Sequence, residues 1–151
     1  MATVLRGKVS GTKAKAPARR KLPRGDVQAI FDTLGAANPA PKTELEFVNA
    51  YTLLVAVVLS AQATDVGVNR ATRRLFEEVQ DPAAMLALGE EGLKAHIRTI
   101  GLFNSKAANV IRLSEQLIQR HGGEVPRTEA ELVALAGVGR KTANVVLNEA
   151  F

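Results

Sequence analysis

The chain has no cysteine and no tryptophan, and only two histidines, one tyrosine and five phenylalanines among 151 residues. Without thiols it can form no disulfide, no thiolate zinc site and no cysteine-ligated iron–sulfur cluster of its own. His96 and His121 stand apart from each other and from any ligand cluster, and read as structural or solvated side chains. Long apolar runs are also missing. Leu53 to Leu59, seven residues, is the longest, against roughly 20 for a membrane-crossing helix, so no membrane partner is expected. The first residues lack the apolar core of a secretory signal. They are poor in acids and rich in Ala, Lys and Arg, which would also suit an organellar leader. Pro and Gly interrupt positions 1–25, however, and a soluble cytoplasmic protein is the expectation.

What is present is apolar residue enough, 46%, for one core, in a length that suits a single domain. The formal charge of +5 is concentrated at one end. Residues 1–30 hold eight Lys or Arg against one acid, Asp26, whereas residues 31–151 hold twelve against fourteen. Residues 1–23 therefore read as a basic flexible tail that raises local concentration on polyanions and makes binding salt-sensitive. A folded body with an excess of acids must obtain any nucleic-acid contact by local placement of groups.

The spacing of apolar residues predicts an all-α protein. Asp26 to Leu34 puts Val27, Ile30, Phe31 and Leu34 on one helical face, with Gly35 and the run from Asn38 to Pro41 as the stop. Asn49 to Ser60 is apolar all round, as in a helix at the centre of a bundle. Its VAVVL core would also suit a buried strand, but no companion strands appear. Thr64 or Asp65 can cap a helix whose Val68, Ala71, Leu75 and Phe76 face inward. Arg70, Arg73 and Arg74 then fall elsewhere, as DNA-phosphate contacts or, the plainer reading, as a solvated face offset by Glu77 and Glu78.

Asp81-Pro82 opens a short helix to Leu88, and another runs from Glu91 to Ile97. Ser105 to Arg120 is longer, with Ala107, Val110, Ile111, Ser114, Leu117 and Ile118 inward and Gly122-Gly123 as the stop. Thr128 and Glu131 fit a capping box for a short helix carrying Leu132 and Leu135. The run from Lys106 to Ile111 echoes that from Lys141 to Val146, either a decayed duplication or two similar helix starts.

Gly137-Val138-Gly139 falls between two helical patterns and is followed at once by Arg140, Lys141 and Thr142. Glycine turns accept positive φ and the close approach of an external group, and a helix start offers unsatisfied N–H groups to a phosphate. A generic turn between packed helices would explain Gly-X-Gly alone. The whole run LAGVGRKTA, residues 135–143, points instead to a grip on a nucleic-acid backbone. A mononucleotide P-loop is excluded because Arg140 separates Gly139 from Lys141, and Ala134 stands where the first glycine is required. At a helix start beside Arg140, a cation is disfavoured at Lys141, by about 0.3–1 kcal/mol from the helix field. A neutral lysine can form an imine with a sugar aldehyde. Phosphate contact is the first reading of Lys141 from the residues alone, and nucleophile the second.

The stretches LSAQATDVGVNRAT (59–72), PAAMLALG (82–89), IRTIGLFNSKAANVI (97–111), HGGEVP (121–126) and LAGVGRKTANVVLNEAF (135–151) resemble the bacterial endonuclease III family. The resemblance, over roughly residues 24–151, implies a helix-hairpin-helix DNA glycosylase fold. Residues 24–42 would be a first helix and linker that pack with a cluster domain. Residues 43–151 would form most of a six-helix barrel, with the helix-hairpin-helix motif at 128–151. The implied activity is removal of oxidised pyrimidines from double-stranded DNA and β-elimination at abasic sites, in a bacterial, nucleoid-associated setting.

Carried onto this chain, the resemblance makes Lys141 the catalytic lysine that attacks C1′ of the damaged nucleotide. Gln62 would enter the space left by the flipped base, and Leu102 would be the wedge in the opposing loop, roles that suit an amide and an exposed apolar side chain. Gly137, Val138, Gly139, Arg140 and Thr142 would meet the DNA backbone, with hairpin carbonyls holding an alkali cation. Ala136 departs from the family's proline, an entropic loss of about 0.4–1 kcal/mol. The family pattern continues past Phe151 into a Val-Asp-Thr-His segment, whose aspartate assists base excision, and four cysteines for a [4Fe–4S] cluster. Neither occurs in this sequence, and Asp26 and Asp65 do not match that aspartate.

The expectation is therefore a chain truncated at its C-terminus, with reduced excision and residual β-elimination, and prone to self-association where the full-length form is monomeric. A non-catalytic DNA-binding module and an inactive fragment are the alternatives.

Overall fold

The computed structural model describes residues 24–37 and 42–151; the basic tail at 1–23 and part of the expected linker lie outside them. Residues 1–41 and 42–151 form separate units. In the first, α1 spans Arg24–Ala37. It runs on through Gly35, expected to stop it, so a single glycine does not end the helix. The second unit holds α2 (Ala50–Ser60), α3 (Asp65–Glu78), α4 (Pro82–Ile97), α5 (Phe103–His121), α6 (Glu129–Val133) and α7 (Arg140–Ala150), and no strand occurs among the described residues.

The VAVVL segment is helical, and α2 is the core of the second unit: every residue from Tyr51 to Leu59 is buried. Helices α3, α5 and α7 all pack on it, which explains why its sequence shows no polar face. Its start is fixed by Asn49, whose side chain accepts from the Thr52 N–H at 2.9 Å while its own N–H donates to the Thr52 hydroxyl at 2.9 Å. The Asn49 amide also donates to the Gln80 carbonyl at 2.8 Å, joining the start of α2 to the end of α3. Asn69 on α3 clamps the extended segment before α2, accepting from the Glu46 N–H at 2.8 Å and donating to the Glu44 carbonyl at 2.9 Å.

Thr64, rather than Asp65, caps α3, accepting from the Gly67 N–H at 3.1 Å. Asp81 caps α4 through the Ala84 N–H at 2.8 Å. The two short helices expected over 82–97 are both present within α4, separated at Gly89, whose φ of 77° and ψ of 169° are non-helical. Glycine is suited to that break because it carries no Cβ to oppose a positive φ.

On α5 the buried stripe is Lys106, Ala107, Val110, Leu113, Ser114 and Leu117. This corrects the expected inward face: Ile118 is exposed, and Ile111 only half-buried. Because α5 packs against both α4 and α2, the stripe is rotated toward Leu113. Within it the Tyr51 hydroxyl lies 2.7 Å from Ser114 Oγ, which also lies 2.7 Å from the Val110 carbonyl. A serine has one proton and the carbonyl can only accept, so Tyr51 donates to Ser114 and Ser114 to Val110. The helix ends in a left-handed Gly122, with the Gly123 N–H reaching back to the Leu117 carbonyl at 3.0 Å, the six-to-one bond of a Schellman motif.

Candidate nucleic-acid interface

Helices α6 and α7 pack on one another across Ala134–Gly139. Thr128 starts α6 by accepting from the Glu131 N–H at 3.3 Å, while its own hydroxyl donates to the Glu131 carboxylate. The hairpin closes with the Val138 N–H on the Leu135 carbonyl at 3.2 Å. Val138 is buried and its N–H is thereby used, so it anchors the loop from inside.

The two glycines have different reasons to be glycine. Gly137 has φ +73°, and a Cβ there would stand 2.9 Å from Asn109 Cβ on α5. Gly139 has φ −90°, open to any residue, and a Cβ there would meet nothing within 4 Å. Nothing among the described residues demands a glycine at 139, and the missing side chain leaves room for an external group beside the start of α7. Gly139 is the N-cap and supplies no side-chain cap, so the N–H groups of Arg140, Lys141 and Thr142 lack intrahelical carbonyl partners. The Arg140 guanidinium is directed to Glu129 Oε1 at 3.0 Å, across the hairpin.

Lys141 is exposed at a cleft of about 380 Å³ that it lines with Thr142, Ser60, Gln62, Asp65, Val145 and a few others. The structure thus brings Lys141 and Gln62, far apart in sequence, to one cavity. It adds Asp65, which does not match the family's aspartate and which joins the cavity only because α3 and α7 both pack on α2. Also unforeseen were Asn109 and Gln116 on α5, which support the hairpin: Ala136 donates to Gln116 Oε1 at 2.7 Å. Their polar character on a helix gave no sign of that role.

Gln62 and Leu102 are the two non-glycine residues with positive φ among those described, at 57° and 59°. Ala61 has φ −55° and ψ 117°, and the Ala63 N–H donates to the Ser60 carbonyl at 2.9 Å. These values define a type II turn with Gln62 at the corner that favours glycine. Leu102 precedes α5 as its N-cap, with no side-chain cap, and is 65% exposed. Each left-handed residue costs about 1–2 kcal/mol, and both side chains are turned outward. Strain kept at two exposed tips is a mark of sites that meet a ligand.

No group of three or more His, Cys, Asp or Glu among the described residues could hold a metal ion. With no cysteine in the sequence, these residues do not fit an iron–sulfur cluster. No described helix is long and apolar enough to cross a membrane.

Residues 55–148 match the HhH-GPD superfamily of base excision DNA repair proteins, and the chain belongs to that family. It is 58% identical over 122 residues to endonuclease III of Haemophilus influenzae and, to the same degree, to that of Escherichia coli. Each alignment covers 81% of this chain and 58% of the relative, so the chain spans somewhat over half the length of these relatives. It also superposes on an endonuclease III trapped as a covalent intermediate with DNA. There the TM-score is 0.82 at 45% identity, covering 87% of this chain and 62% of the other.

Proposed function

We propose that this chain recognises damaged or abasic sites in double-stranded DNA and cleaves them by β-elimination through Lys141, as part of base-excision repair. The observation that carries the reading is the pairing of the two strained, exposed residues, Gln62 and Leu102, with a cleft that Gln62 shares with Lys141. A duplex gripped at the uncapped start of α7 would receive Gln62 in the gap left by an everted nucleotide and Leu102 as a wedge against the stack.

The proposed chemistry begins with the neutral Lys141 amine adding to C1′ of the ring-opened sugar aldehyde. Loss of water gives an imine. Removal of a C2′ proton then breaks the C3′–O bond, and hydrolysis of the product imine releases the lysine. Lys141 is exposed here, so its desolvation is assigned to the bound DNA that would cover the cleft. Excision of an intact oxidised pyrimidine needs a further acid–base group that the family resemblance places outside these residues.

Borohydride reduction of the chain mixed with an abasic duplex tests it. A covalent protein–DNA adduct is expected, and Lys141→Ala should abolish it. Tight binding without any adduct would instead select a non-catalytic DNA-binding module, and an adduct that survives Lys141→Ala would remove the lysine from its role.

A further inference from the structure

A second groove, of about 570 Å³, lies between α3 and the last turn of α4, lined by Arg70, Ala71, Arg73, Arg74, Ala95 and His96. Three guanidiniums and an imidazole line it, with no carboxylate among them. That composition stands out in a body where acids outnumber Lys and Arg. Of the neighbouring acids, Glu46 holds one of the lining guanidiniums, Arg73, at 2.9 Å, whereas Glu90 and Glu91 hold Lys94 at 2.7 and 3.0 Å. Glu77 and Glu78 follow Arg74 by three and four residues, yet neither closes on it. Arg70 and Arg74, one helical turn apart and both exposed, make no ion pair among the described residues.

The groove's walls are the two elements whose ends carry the strained residues. Arg70 lies about 7.5 Å along the helix from Asp65, just beyond the Gln62 turn. His96 is one residue from the end of α4, and the chain then leads to Leu102. The groove thus lies between the helix that follows the Gln62 turn and the helix that leads toward Leu102. The alanines at 71 and 95 keep it open, and guanidiniums suit phosphate oxygens.

We infer that Arg70 and Arg74 form a phosphate-binding track for the DNA backbone, lined by residues distinct from those of the hairpin and of the Lys141 cleft. His96 borders the track. The inference rests on the DNA-binding reading above and extends it to a second contact region. Arg73, held by Glu46, is a minor participant.

The test is the salt dependence of the intact chain's affinity for a duplex bearing a reduced abasic site. Each neutralised phosphate contributes about 0.9 to the slope of log K against log salt. Arg70→Gln and Arg74→Gln should each lower the slope by about 0.9, and together by about twice that. Arg120→Gln, the same loss of charge near the far end of α5, should leave it unchanged. Circular dichroism establishes that each variant is folded. If the parent chain binds with a clear slope but the double variant keeps it, or if Arg120→Gln lowers it equally, the track is overturned while the DNA-binding reading stands. A parent chain with no affinity for the duplex overturns both.

Discussion

The amide N–H of Ala136 donates to Gln116 Oε1 at 2.7 Å, and this bond ties the hairpin to the middle of α5. A proline at position 136, which the family resemblance would imply, has no N–H to give. Here the loop is held by a side chain from a neighbouring helix rather than by a restricted φ. Gln116→Leu would leave the half-buried donor unpartnered, at about 1–3 kcal/mol. A drop in thermal midpoint and a looser hairpin, seen as faster amide exchange at 136–139, are expected. An unchanged midpoint with unchanged exchange would show that the bond holds nothing.

Gly137 and Gly139 should separate stability from binding. Gly137→Ala forces a side chain onto a φ of +73° and into Asn109, so the variant should lose roughly 1–3 kcal/mol and unfold earlier. Gly139→Ala meets neither obstacle. It should keep the parent's thermal midpoint while weakening DNA affinity at least tenfold, because its methyl group fills the space left for the backbone. Equal loss of stability in both variants would contradict the distinction.

Much of this arrangement is legible in the sequence because it is local. Thr64, Asp81 and Thr128 mark helix starts by side-chain chemistry that acts within three residues, and the break near Gly89 shows as two short patterns. The LAGVGRKTA hairpin is likewise contiguous. What escapes is set by contacts between distant elements. The rotation of the α5 stripe toward Leu113 depends on two partners at once, and the clamp of Asn69 on residues 44–46 looks like any exposed amide. The shared cleft of Asp65 and Lys141 exists only once α3 and α7 are both packed about α2. Nothing in the letters Gln62 or Leu102 announces a left-handed backbone, since neither residue type favours it.

Leu102→Gly should expose the cost of that conformation. Glycine adopts φ +59° without a Cβ penalty, and the exposed leucine loses little buried area. The variant is expected to match or exceed the parent in stability, by up to about 1 kcal/mol, while its yield of borohydride-trapped adduct falls severalfold. A gain in stability with undiminished trapping would mean that the strain serves no wedge.

Lys106 presents the opposite case, a charge placed where nothing receives it. The residue is buried, its Nζ finds no hydrogen-bond partner among the described residues, and burial pushes its pKa below the usual lysine value. A depressed lysine destabilises the fold while the folded form must hold the proton, and the penalty fades as pH rises toward the unfolded value near 10.4. Lys106→Met should therefore raise stability at neutral pH, with a gain that shrinks in alkali. A variant less stable than the parent at pH 7 would show that the ammonium has a partner in solution.

Tyr51 is the only tyrosine, which makes its alkaline behaviour readable by absorbance. Burial pushes its hydroxyl above the ordinary value of 10.0. The folded state keeps the proton where the unfolded chain releases it, so the unfolded state binds fewer protons above about pH 10 and stability falls as pH rises. The slope from this one group approaches about 1.4 kcal/mol per pH unit until the folded form also ionises. Tyrosinate absorbance near 295 nm should accordingly appear together with the loss of helical circular dichroism, not before it. Tyr51→Phe removes this contribution, leaving Ser114 its bond to the Val110 carbonyl, and the difference in stability between parent and variant should shrink from pH 9 to pH 11. Tyrosinate forming in a fully helical chain would place the hydroxyl in contact with water and contradict its burial.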